Sequence, residues 1–346
     1  MNVVQVADKK QAIRLFFTAL LSCLLFRTLY AESGVTYLLN RGRFGDHITS
    51  YINAKWVSYR YHLPLLYKKF EFSEQLQLDY QEKPFENTVG YKKTIRINNT
   101  PIPDFTESDT LYIIPYFPHY PKSIKEEFRM YPLVIDWHDH TFITILRSLI
   151  SPKKPIELPV LAPEHVNIAL HIRTGGGYDH MSYDNPKHMK RFFSDIGLPL
   201  NHPREEFYIH QLTWLLKYFE NKKCYIYVFT DDQNPPLLCE NLRNIFNKEN
   251  LIFDCRKVDN KHDKNVLEDF FAMQLFDCII CPNSNYSISA AKIGNNAITI
   301  FPTAYEWHEN NLIMTRVKVD IKLSELQQLV DRNLLETHNI YRLLMA

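Results

Sequence analysis

Val166-Asn167-Ile168-Ala169-Leu170-His171-Ile172-Arg173-Thr174-Gly175-Gly176-Gly177-Tyr178 is the stretch on which the reading of this chain turns. Val166, Ile168, Ala169, Leu170 and Ile172 make a short, nearly continuous apolar run, as expected of a central strand buried on both faces of a parallel sheet. The run ends in His171, Arg173 and the glycines Gly175 to Gly177. Glycine opens backbone conformations closed to other residues and lets a ligand approach the main chain. Ligands of open α/β sheets bind just beyond the carboxyl ends of the strands. An arginine fork at that edge suits a phosphate or diphosphate. The plain alternative is an ordinary strand-to-loop junction carrying a surface arginine.

Working outward, strand and helix patterns alternate through the second half of the chain. Glu205 to Glu220 reads as an amphipathic helix, Cys224 to Thr230 as a strand ending in Asp231-Asp232, and Leu237 to Phe246 as a helix. Leu251 to Phe253 reads as a short strand, Val266 to Phe276 as a helix and Cys278 to Cys281 as a strand. Ser287 to Ile293 reads as a helix and Ala297 to Phe301 as a last strand. That alternation predicts a doubly wound parallel sheet. Asp179 to His202 is polar and uninformative.

Towards the N-terminus, Val35 to Leu39 reads as a strand, Asn40 to His47 as a turn with Gly42 and Gly45, and Ile48 to Tyr61 as a helix. Strand, glycine turn and helix in that order form the first unit of a Rossmann-like fold, with helix N–H groups available to an anion. GxxG alone is also what any tight turn shows. Leu63 to Tyr67 and Leu111 to Pro115 read as further strands, Phe142 to Ile150 as a short helix, and Glu71 to Ser108 as loop-rich. The proline-dense segment Ser151 to Pro155 is expected to link two domains, 35–155 and 156–346. Two α/β domains with a cleft between them are therefore expected.

Composition narrows the function. A chain of 346 residues, 45% hydrophobic and 23% charged, is long enough for two folded domains of ordinary size. A net charge of +1 gives no sign of bulk affinity for nucleic acid, so no nucleic-acid partner is expected and any anion site must be local. Nineteen prolines against nine glycines make each glycine cluster more informative. Cys278 and Cys281 have CxxC spacing, but within an apolar run and with no second pair they read as buried thiols. Lys9, Lys10 and Arg14 precede the apolar segment Leu15 to Phe26 and the small residue Ala31, the layout of a signal peptide over residues 1–34. It implies a secretory or membrane-associated address. A buried N-terminal helix, and with it a cytoplasmic chain, is the other reading. In a secretory setting Asn98-Asn99-Thr100 would be a glycosylation acceptor.

Four stretches face a common rim if the strand ends point the same way: Gly42 to Asp46, His171 to Gly177, Thr230 to Asp232, and Pro282 to Ser289. In the last, Ser284, Asn285 and Ser287 are suited to donate to phosphate oxygens at a helix start. They are equally suited to cap that helix. Asp269 sits near the start of the preceding helix, where the dipole favours a carboxylate in any case.

HIRTGGGYD, VFTDD and DFFAMQLFDCIICPNSNYSISAAKIG resemble the successive motifs of the GDP-fucose-dependent fucosyltransferases, the α-1,2/α-1,6 and protein O-fucosyltransferase superfamily. GRFGDHITSYINAKWVSYRYHLPLLY is similar to that group's opening glycine-turn-helix motif. The resemblance runs in islands between Val35 and Phe301. It implies two facing Rossmann-like domains in the GT-B arrangement, the nucleotide held mostly by the C-terminal one, no metal or other cofactor, and inverting transfer from a GDP-sugar donor to a glycan or protein hydroxyl.

By position, Arg173 matches the arginine that clamps the diphosphate, with His171 its companion in the strand. Asp269 matches the acid that recognises guanosine. Ser284, Asn285, Tyr286 and Ser287 match the turn around phosphates and base, and Gly42 and Gly45 the opening turn. Asp231 and Asp232 match a family acidic pair, which is easily misread as a metal site. Two departures stand out. Three glycines replace the usual Gly-Asp after the arginine, leaving Asp179 as the nearest acid, and Asp46-His47 replaces the usual Asn of the opening turn. Asp46 or His47 is then available to take a proton from the acceptor. Another nucleotide-sugar donor, or an inactive carbohydrate-binding protein on the same fold, are the alternatives.

Overall fold

The structure, a computed structural model, describes residues 33–40, 42–85, 90–97, 103–115, 133–174, 198–257, 263–308 and 311–345. Gly175 to Gly177, Asp179, Asn98 to Thr100 and residues 1–32 of the expected leader lie outside these residues, while Gly34, expected to end the leader, opens the first strand. Among the described residues no helix is long and apolar enough to cross a membrane. Contacts divide the described chain into two compact units. The first takes residues up to 40, 50–74 and 78–142, and the second takes 42–49, 75–77 and Ile143 onward. The division therefore falls ahead of Ser151 to Pro155. Those residues pair inside the second unit instead, Gln77 N–H with the Ser151 carbonyl (2.9 Å) and Lys153 N–H with the Gln75 carbonyl (2.8 Å).

The first unit is built on a parallel sheet of order β1-β5-β4, formed by β1 (Gly34–Tyr37), β4 (Lys93–Arg96) and β5 (Thr110–Ile114). A two-stranded parallel pair joins β2 (Leu66–Tyr67) to β3 (Lys83–Pro84). Helix α1 (Phe44–Tyr61) begins inside the glycine stretch, so Gly45, Asp46 and His47 stand in its first turn and not in the turn expected before Ile48. Its later residues belong to the first unit; α2 (Leu78–Gln81), α3 (His140–Leu149) and α4 (Leu198–Asn201) follow it along the chain. In the first unit Trp56 meets Phe142 edge-on at 4.9 Å, and the Tyr51 hydroxyl donates to the buried Glu82 carboxylate at 2.7 Å. Lys55 pairs with that same carboxylate at 2.8 Å, so the buried charge is neutralised where it lies.

The second unit is a six-stranded sheet of order β11-β10-β9-β6-β7-β8. Its strands are β6 (Val166–Ile172), β7 (Cys224–Thr230), β8 (Leu251–Cys255), β9 (Cys278–Ile280), β10 (Ile298–His308) and β11 (Asn311–Ile321). All run parallel except β11, which pairs antiparallel with β10. The expected last strand, Ala297 to Phe301, is only the root of this long hairpin, whose outer part is half-exposed and so lacks a continuous apolar run. Helix α5 (Glu205–Leu216), α6 (Pro235–Phe246), α9 (Leu323–Asp331) and α10 (Thr337–Leu344) share one core with Ile168, Leu170, Ile226 and Val228. The other face carries Tyr225, Tyr227 and Phe229 against Phe276, beside α7 (Val266–Met273) and α8 (Asn285–Ile293).

Helices on both faces of a parallel sheet make the doubly wound arrangement expected from the alternation. Ile168, Ala169 and Leu170 are fully buried. Each fully buried large aliphatic side chain contributes about 1.5–3 kcal/mol, which explains why the run is apolar throughout. Cys278 and Cys281 are buried free thiols.

Candidate functional site

The strand order reverses between β6 and β9, because β7 and β8 continue to one side of β6 while β9 and β10 continue to the other. A crevice opens at such a point, outside the carboxyl ends of the two strands. His171 and Arg173 stand at the end of β6, and Pro282 to Asn285 follow the end of β9. Because the two strands are parallel, with Leu170 opposite Ile280, both stretches emerge at the same edge.

The N-terminal turn of α1 joins this edge as part of the same unit. Gly45 packs so closely on Tyr286 that an added Cβ would lie 2.7 Å from its Cβ and its N. Phe44 meets Phe270 edge-on at 5.2 Å and Tyr286 at 6.3 Å. Tyr286 in turn lies 5.8 Å from His171 between ring centroids and donates its hydroxyl to the Val266 carbonyl at 2.6 Å. It is thus the hub on which the glycine turn and the imidazole rest. The Asn285 side-chain amide donates to Asp46 Oδ1 at 2.9 Å, and the Thr49 and Ser289 hydroxyls meet at 3.0 Å. The first turns of α1 and α8 therefore approach side by side, with the positive ends of two dipoles together.

Ser284 occupies the N-cap of α8, but its hydroxyl makes no capping bond, so helix capping does not account for it. Ser287 is fully buried. His171 Nδ1 is buried and has no hydrogen-bond partner among the described residues. A buried orphan polar atom costs about 1–3 kcal/mol, a cost relieved when a ligand supplies the bond. Burial, with the Arg173 charge adding to it against the pull of Asp231, lowers the His171 imidazole to about 4. It is neutral near pH 7.

Asp269 lies in the first turn of α7, as expected, and is held at 2.8 Å by Arg256. Burial raises its carboxyl to about 6 despite that guanidinium. Arg256 escaped the sequence reading. It directly follows β8, a strand-end position like the other four stretches, and that regularity was the available signal. Thr174, inside the His171 to Gly177 stretch, gains a role only here: its N–H and hydroxyl both donate to Asp231 Oδ1, at 2.7 and 3.2 Å. Asp232 does different work, accepting from Asn234 N–H at 2.7 Å in the turn that leads into α6. Among the described residues no group of histidine, cysteine and acidic side chains is arranged to hold a metal ion.

No family model matches the chain, and no curated protein matches it. Among solved structures it is similar to a mutant of Arabidopsis thaliana FUT1 in complex with GDP, at 11% identity and a TM-score of 0.45, over 81% of this chain and 72% of that one. It is also similar to fucosyltransferase NodZ from Bradyrhizobium, at 11% identity and a TM-score of 0.38, over 84% of this chain and 99% of that one. A third similar structure is NodZ alpha-1,6-fucosyltransferase soaked with GDP-fucose, at 10% identity and a TM-score of 0.37, over 84% and 99%. Likenesses this distant carry no weight on chemistry, which rests on the residues described above.

Proposed function

We propose that this chain is a glycosyltransferase of the fucosyltransferase kind, moving fucose or a related sugar from its GDP donor to a hydroxyl acceptor with inversion. The observation that carries the reading is the position of Arg173: it leaves the sheet at the reversal of strand order, on the same edge as the Ser284-Asn285 corner. Transfer requires negative charge on the departing diphosphate to be stabilised as the sugar–oxygen bond breaks. A guanidinium and two helix N-termini at one crevice are matched to that charge.

In this reading the orphan His171 nitrogen takes a hydrogen bond with the donor, and the Asp269–Arg256 pair meets the base. A carboxylate accepts from the N–H groups of a guanine edge, while a guanidinium donates to its carbonyl. Asp46, held by Asn285, receives the acceptor's proton. The motif resemblance supports the two-domain GT-B arrangement and an activity without metal. The leader supports a secretory or membrane-associated setting.

The test is a thermal-shift and binding screen of GDP, UDP, ADP and GDP-sugars on the full chain, repeated on Arg173→Ala. GDP and GDP-fucose should bind, and Arg173→Ala should lose about 10²–10³ in turnover, with Arg173→Lys recovering only part because a point charge cannot replace the fork. Preference for UDP or ADP would redirect the donor assignment. Sugar binding without nucleotide binding would make the chain a lectin-like protein.

A further inference from the structure

The ladder between β6 and β7 runs without interruption from Val166 opposite Cys224 to Ile172 opposite Thr230, and there it stops. The next residues part company, since Asp232 N–H turns back to the Thr230 hydroxyl at 3.1 Å and the chain enters α6. At this parting Asp231 Oδ1 accepts from both the N–H and the hydroxyl of Thr174. A side chain thus extends the ladder by one step, at the one place where Arg173 leaves the sheet.

We propose that Asp231 is the positioning residue of the diphosphate clamp, fixing Arg173 through Thr174. This rests on the function proposed above. Ile172 is held by the ladder on one side of Arg173 and Thr174 by the carboxylate on the other, so the arginine's backbone is pinned at both ends. With the backbone fixed at this point, less freedom remains to be ordered when an anion arrives, which favours binding. Without the carboxylate, the residue after Arg173 loses its tie to β7, and the guanidinium starts from a wider set of directions. The two neighbouring acids are therefore not a pair: Asp231 reaches across to β6 while Asp232 shapes the turn.

The experiment is a thermodynamic cycle on the full chain: wild type, Asp231→Ala, Arg173→Ala and the double variant, with GDP affinity measured calorimetrically. Asp231→Ala should weaken GDP about tenfold or more, and by less than about twofold when Arg173 is already alanine. Asp231→Asn keeps an oxygen able to accept from Thr174 N–H, guards against a folding defect, and should retain most of the affinity. The His171 ring supplies a second readout by NMR titration. The Asp231 charge favours its protonated form, so Asp231→Asn should lower its pKa further. Equal losses from Asp231→Ala in both backgrounds, with wild-type GDP binding intact, overturn the clamp alone. Failure of wild-type protein to bind GDP overturns the functional reading and the clamp together.

Discussion

Gly45→Ala sets two local rules against each other. Gly45 lies in the first turn of an 18-residue helix, and alanine is the better helix former by up to about 1 kcal/mol. On propensity alone the variant gains stability. The packing says otherwise: an added Cβ would lie 2.7 Å from the Tyr286 Cβ and N, and 2.8 Å from its Cα. Carbon atoms rest at about 3.5–4.0 Å, so the two helix starts must separate by roughly 1 Å. Backbone atoms cannot rotate out of the way.

Overpacking of this kind costs about 1–3 kcal/mol. A clash with backbone atoms falls in the upper part of that range, about 2–3 kcal/mol, so after the helical gain of up to about 1 kcal/mol the net loss is about 1–2 kcal/mol. In a unit of this size the melting temperature then falls by roughly 2–8 °C. The displacement would also draw Asn285 away from Asp46, now at 2.9 Å. Calorimetric melting and GDP titration on the same samples check both effects. An alanine variant that melts at or above the wild-type temperature refutes the close approach on which this site is built.

Stability should depend on pH through two opposing groups. Asp269 titrates at about 6 in the fold against an ordinary 3.8, so the folded state binds the extra proton between those values and stability falls as pH rises through them. His171 titrates at about 4 against 6.5, so there the unfolded state binds the extra proton and stability rises with pH. The two effects oppose each other between pH 4 and 6. Asp269→Asn should unmask a rising profile in urea melts and His171→Gln a falling one; parallel profiles in both variants refute the assignment. Lys322→Met should destabilise by about 1–3 kcal/mol, because the Lys322 ammonium donates to the carbonyls of Ala291, Lys292 and Gly294 at the carboxyl end of α8. An unchanged urea midpoint would show that water replaces it without loss.

What the residues alone determined is the parallel sheet and where its strands end. Apolar runs such as Val166 to Ile172 and Cys224 to Thr230 record burial on two faces, and glycine, arginine and small polar residues record where each strand ends. These are local patterns, so one pass along the chain recovers them, and it places His171, Arg173 and the Ser284-Asn285 corner at strand ends and Asp269 near the start of a helix.

Tertiary structure decided the rest. Helix α1 starts at Phe44 because that ring is buried against Phe270 and Tyr286, residues from far along the chain. Arg256 meets Asp269 where the first turn of α7 returns to the end of β8, and Asp231 reaches Thr174 because β6 and β7 bring their ends together. The hairpin β10–β11 is held by pairing between two half-exposed strands, a cooperative contact that neither strand's own pattern encodes. A sequence shows which residues must leave water; which partner each then meets is settled by the packing of the whole unit.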